Sequence, residues 1–134
     1  KNLGGGAYGN DGYLIGYNYL GGHADTPWTP VAPAAAEWRS PQSTAGRTAL
    51  PVVTELNIWS PTAGRTVAPH GQNGPVRQGD DFLNAAAGGL SSEQLGARGG
   101  NIGLLDGSGQ WKPIEQAAVY TITRNPTPQW FAAW

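Results

Sequence analysis

The chain has 134 residues, a length that fits one domain with a modest core of its own. Its net charge is −1 and its eight Lys and Arg are scattered with no two adjacent, which disfavours nucleic acid and anionic lipid as partners. The absence of cysteine excludes disulfides and cysteine-ligated zinc.

Only 13% of the residues are charged, while Gly 21 and Pro 11 approach a quarter of the chain, so turns and ordered loops dominate. Six tryptophans and five tyrosines argue against disorder, because disordered chains are poor in rings. The expectation is a single folded domain over 1–134 that is loop-rich and anchored by aromatic side chains. No apolar run reaches the roughly 18 residues needed to cross a bilayer, and no signal peptide is present. The chain starts at Lys1 and contains no methionine, which points to a processed or excised piece and leaves room for an anchor upstream in its parent.

In chain order, residues 1–12 are glycine-rich and hold the turn signal "GNDG". "GYLIGYNYL" follows with period-two placement of Tyr13, Ile15, Tyr17 and Tyr19, which predicts a strand. Pro27, Pro30, Pro33 and Pro41 then rule out a long helix, leaving "AAAEW" as a candidate single helical turn. "LPVVTELNIW", residues 50–59, is rich in β-branched residues and predicts one strand. Thr-Ala-Gly-Arg-Thr occurs at 44–48 and again at 62–66, read as two similar glycine turns flanking that strand.

Residues 67–80 read as a loop around "PHGQNGP". "DDFLNAAAG" has an acidic start and helix-forming alanines, and "SSEQLGA" has serine caps, so each predicts a short helix. "NIGLL" and "QWKPI" flank "DGSG", a hairpin signal that places Asp106 at the tip. The tail turns at Asn125–Pro128 and ends in Trp130, Phe131 and Trp134, which are expected to pack back on the sheet. The fold class that emerges is α+β but mostly β: a small antiparallel sheet with long ordered loops and one or two short helices.

Two kinds of chemistry are open. With His23 and His70 as the only histidines, a three-histidine metal site in one chain is impossible. His70 is either an exposed loop residue or a general base, oriented by Glu55 or Asp80 with Ser60 or Thr66 as nucleophile. Calcium is the metal suited to oxygen donors, with Asp80, Asp81 and Asp106 as its candidate ligands. Asp80–Asp81 reads equally as the acidic start of a helix, and Asp106 as the first residue of a turn bonding its own backbone. The interleaved aromatics read either as core anchors or as a groove for sugar or peptide.

"GGNIGLLDGSGQW" resembles the C-terminal signature of prepilin-like proteins common in planctomycetes and related bacteria: a glycine-rich segment, an Asn, four apolar or small residues, Asp-Gly, and an aromatic strand. "GYLIGYNYLGG" resembles the Tyr-Asn-Tyr strand of many members, and "VVTELNIWSP" to "APHGQNGPV" is similar to the intervening region of one subgroup. The signature's histidine, ten positions before the aspartate, is replaced here by Gly96, and the cleavage motif and long hydrophobic helix do not occur in this sequence. The resemblance implies the globular head of a type II secretion pseudopilin-like or type IV pilin-like protein. Such a head is an interaction module of the cell envelope, periplasmic or extracellular, stabilised by calcium and partnered by proteins of a pilus-like or secretion assembly. The alternative from the residues alone is a small calcium-dependent hydrolase of esters or lactones in which His70 or Glu55 activates water.

Overall fold

The computed structural model describes residues 17–23, 28–31, 38–45, 49–76, 90–122 and 129–134. Among these residues ten strands run in chain order: β1 (Tyr17–Tyr19), β2 (Thr29–Pro30), β3 (Pro51–Glu55), β4 (Ile58–Ser60), β5 (Arg65–Gly71), β6 (Gly74–Val76), β7 (Gly99–Leu104), β8 (Gly109–Pro113), β9 (Val119–Thr121) and β10 (Phe131–Ala133). A one-turn 3-10 helix, Ile114–Gln116, separates β8 from β9. The strands form two antiparallel sheets, one ordered β1-β3-β7-β8 and the other β2-β9-β10-β4-β5-β6. The mostly-β antiparallel expectation holds, with two sheets in place of a single small one.

The predicted strand over 50–59 is two strands, one in each sheet. Asn57 N–H donates to the Glu55 carbonyl at 2.9 Å, a three-residue turn of the kind that ends strands. Leu56 and Asn57 are consecutive and both buried, so the alternation of a continuous strand is lost where the chain passes from β3 to β4. Asn57 is held there by its Nδ2, which donates to the Gly99 carbonyl at 3.2 Å.

The predicted hairpin is present, with Gly103↔Gly109, Ile102↔Gln110, Asn101↔Trp111 and Gly99↔Pro113 paired. Gly107 supplies the positive φ, 85°, that a tight turn needs and a side chain resists.

The region read as a loop around His70 is instead a second hairpin. β5 pairs β6 with Ala68↔Val76 and Gly71↔Gly74, and a register shift lies between the two pairs. Pro69 falls in that irregular stretch, where a missing N–H costs no ladder bond. "SSEQLGA" does not become a helix. Leu95 N–H bonds the Ser91 carbonyl and Ala97 N–H the Ser92 carbonyl, and Gly96 at φ 83° reverses the chain after this single turn. The strand positions Tyr13 and Ile15, the helix expected at "DDFLNAAAG", and most of "AAAEW" lie outside the described residues.

The core of the six-stranded sheet gathers Leu20, Trp28, Tyr120, Ala132 and Trp134. β10 lies between β9 and β4, and Trp134 stacks on Tyr120 with ring centroids 4.4 Å apart. Trp28 meets Trp134 edge-on at 5.7 Å. The terminal aromatics therefore pack back as expected, because rings of this size remove much apolar area from water. Among the described residues no helix is long and apolar enough to cross a membrane.

Candidate functional site

Strand β3 ends at Glu55 just before the chain leaves the four-stranded sheet, and this end positions the site. The β3–β7 ladder runs Val53↔Gly103 and Thr54↔Ile102. Beyond it the Glu55 side chain takes over. Its Oε2 accepts the Asn101 backbone N–H at 3.0 Å, and its Oε1 accepts Asn101 Nδ2 at 2.9 Å.

His70 arrives from β5 in the other sheet, and its Nε2 lies 2.8 Å from Glu55 Oε2. The backbone secures it: its carbonyl accepts Arg98 N–H at 2.8 Å, and Gly71 bridges Ala97. The His70 ring also meets Trp111 edge-on, with centroids 5.3 Å apart. Partial burial pushes the Glu55 carboxyl up, but the Asn101 amide, the His70 ring and the Asn101 N–H outweigh it, and its pKa lies below the ordinary value.

The four strands extend this pair into a row. Tyr17 pairs with Glu55, Glu55 holds Asn101, and Asn101 pairs with Trp111. Directly opposed residues point to the same side of a sheet, and here that side is outward. Thr54 and Ile102, which face the other way, are 2% and 3% exposed, against 47% for Tyr17 and 46% for Trp111. On the inner side a small cavity is lined by Asn57, Gly100, Lys112 and Trp134. Asn57 Oδ1 and Trp134 Nε1 have no protein partner there, and burial lowers the Lys112 pKa.

Of the residues named from sequence, Glu55 and His70 are brought together. The two hydroxyls named with them are engaged elsewhere. Ser60 Oγ lies 3.1 Å from Thr62 Oγ1 and accepts the Ala63 N–H, and Thr66 Oγ1 donates to the Leu90 carbonyl. Both residues are fully buried.

Asp106 adopts the turn arrangement: its Oδ1 accepts the Ser108 N–H at 2.9 Å and the Ser108 hydroxyl at 2.6 Å. Those two bonds, the hydroxyl first, lower its pKa. Asp80 and Asp81 lie outside the described residues. Among the described residues no group of three His, Asp or Glu side chains is placed to hold a metal.

Asn101 was not singled out from sequence, although a signal existed. Asn101 and Trp111 stand at equal distances from Asp106, so the hairpin tip sets them opposite one another.

Comparison with family models, with characterised proteins and with solved structures finds no match to the chain.

Proposed function

We propose that the chain is an interaction domain of the cell envelope, the globular head of a pseudopilin-like protein, and that it works through the outward face of its four-stranded sheet. The observation that carries this reading is the exposed row from Tyr17 to Trp111 with the Glu55–His70 pair between them. Exposed rings beside fixed polar groups characterise surfaces that bind. The likeness of "GGNIGLLDGSGQW" to the prepilin-like signature supports the pilin-like part, a periplasmic or extracellular location, and protein partners in a pilus-like or secretion assembly.

The test is site-directed photocrosslinking from position 111 in the native cell. The expected products are subunits of such an assembly, identified by mass spectrometry. Their absence, with the protein folded and exported, overturns the reading.

Calcium belongs to the same proposal, with the adjacent carboxylates of Asp80 and Asp81 and the carboxylate of Asp106 as its oxygen donors. A melt with millimolar calcium, repeated with chelator, tests it. A rise in Tm that Asp80→Asn abolishes supports a site, and no rise at all removes it.

The 2.8 Å His70–Glu55 contact favours one second reading, hydrolysis of esters or lactones. A carboxylate that fixes an imidazole is the arrangement of a general base that activates water, with a bound metal to polarise the carbonyl. Turnover of a model lactone that is lost in a folded His70→Ala variant supports it. Turnover unchanged in that variant, or no turnover by the wild type, removes it.

A further inference from the structure

Two glycines on the outward face have no backbone or packing reason to be glycine. Gly103 and Gly109 are directly opposed on β7 and β8, on the rung nearest the hairpin turn, where bare residues still weaken a ladder. Neither is among the glycines with positive φ. A Cβ at Gly103 would meet Val53 Cβ at 3.6 Å, and one at Gly109 would meet the Ile102 carbonyl oxygen at 3.8 Å, both ordinary contacts. Gly99, two residues before Asn101, behaves differently: a Cβ there would collide with the Lys112 carbonyl.

The bare pair lies one rung along from Asn101↔Trp111, on the same side of the sheet. Val53 pairs with Gly103 on β3, and Tyr19 pairs with Val53 on β1. A shallow trough results, floored by the Gly103 and Gly109 backbone and the Val53 side chain, with Trp111 at one end and Tyr19, 60% exposed, at the other. Four strands at the usual spacing set its span at about 14 Å. Glycine inside a strand commonly marks a place where a ligand approaches the backbone closely.

Acceptors predominate among the polar groups left free around Glu55. His70 Nε2 faces a carboxylate and carries its hydrogen, so in the neutral ring Nδ1 is an acceptor. Asn101 gives its N–H and one Nδ2 hydrogen to Glu55, which leaves its Oδ1 to accept and one Nδ2 hydrogen to donate. Glu55 Oε1 accepts one bond and keeps a lone pair. Among the described strand residues on this face Glu55 is the one charged side chain, and His70 and Asn101 already meet it. A ligand that fits must bring several donors, no charge, and flat C–H surfaces for the rings.

We propose that this trough binds a neutral oligosaccharide, with one sugar stacked on Trp111 and its hydroxyls donating to Asn101 Oδ1, Glu55 and His70 Nδ1. The proposal deepens the interaction-domain reading and rests on the same face. It implies that the domain holds its assembly to a polysaccharide surface.

The test is titration of the purified protein, followed by tryptophan fluorescence and calorimetry, with neutral hexasaccharides of the cello-, xylo- and chito- series and with an acidic oligogalacturonide. The expected result is saturable binding of a neutral series and none of the acidic one. Trp111→Ala should weaken that binding about tenfold or more. Gly103→Thr should abolish it while the Tm stays level or rises, an outcome that a merely structural glycine would not give.

Failure of every neutral series overturns the proposal. So does preference for the acidic ligand, or binding that survives Gly103→Thr in a folded protein. Sedimentation that shows self-association lost in Trp111→Ala, with no sugar bound, assigns the face to a second copy of the chain and overturns it as well. In each of these cases the crosslinking from position 111 still decides the interaction-domain reading separately.

Discussion

The carboxylate of Glu55 and the imidazole of His70 meet at 2.8 Å across the junction of the two sheets. Glu55 closes β3 in the four-stranded sheet, and His70 sits near the end of β5 in the six-stranded one. The chain itself crosses between the sheets two residues after Glu55. One side-chain contact therefore fastens the sheets beside the covalent crossing, and Asn101 draws β7 into the same cluster.

Removing the two partners separately should give unequal effects. His70 is 44% exposed at its side chain, so its loss is softened by water, and the coupling in a double-mutant cycle should be about 0.5–1 kcal/mol. Glu55→Ala should cost more, about 1–2 kcal/mol, because it strips both Asn101 donors as well as His70. Urea denaturation of the four proteins of the cycle measures both values. Equal costs for the two single variants would mean that the Asn101 bonds contribute nothing.

Acid should loosen this clasp in a definite direction. The folded pKa of Glu55 lies below its ordinary 4.5. A depressed carboxyl contributes stability that is fully present above the unfolded pKa and lost as pH falls through the folded one. The stability gap between wild type and Glu55→Gln should therefore be constant above about pH 5.5 as far as Glu55 is concerned. It should then narrow as pH drops below 4.5 toward the lowered folded value. Chemical denaturation in steps between pH 3 and 6 checks the sign, and a gap that widens on acidification contradicts the assignment.

The terminal tryptophan should be among the costliest residues to truncate. Trp134 is 4% exposed, stacks on Tyr120, and meets Trp28 edge-on. Its backbone also exchanges two hydrogen bonds with Ala118, at 2.8 and 3.0 Å. Trp134→Ala should destabilise by about 3–5 kcal/mol. For a domain of this size that lowers the Tm by roughly 10 °C or more. A change of only a few degrees would mean that the stack forms without closing the core.

Much of this architecture was legible where local chemistry and long-range packing agree. "DGSG" between two apolar runs fixed the β7–β8 hairpin, because glycine and aspartate supply the turn and the turn sets the register. The Glu55–His70 partnership was legible as residue types but not as a contact, since nothing local links positions fifteen apart in different sheets. The break at Leu56–Asn57 carries little local signal. Asn57 is a turn former but stands alone in a run of strand formers, and the break exists because each half of the segment finds partners in a different sheet. Pro69 and Gly71 look like breakers and make the sequence around His70 read as a loop, whereas β5 accommodates Pro69 in an irregular stretch of the ladder. Asn101 and Trp111 gain their meaning from their place in the row, which only the assembled sheet provides.

Two glycines four residues apart should respond to the same substitution with opposite signs. Gly99 has φ 147°, and a Cβ there would run into the Lys112 carbonyl and come within 2.9 Å of Trp111 Cζ2. Gly99→Ala must push β8 away from β7, at a cost of roughly 2–4 kcal/mol. It should also displace the Trp111 ring that rests over it. Gly103 has neither constraint, so Gly103→Ala should be neutral or stabilise by about 0.5–1 kcal/mol, through the reduced freedom of the unfolded chain. Thermal melts of the two variants, with Trp111 fluorescence as the second readout, decide the matter. The expected pair is a large loss with a shifted emission for Gly99→Ala and an unchanged or higher Tm with native emission for Gly103→Ala. A loss at position 103 comparable to that at 99 would show that the bare floor of the face is needed for folding, and would withdraw the reason for reading it as an open surface.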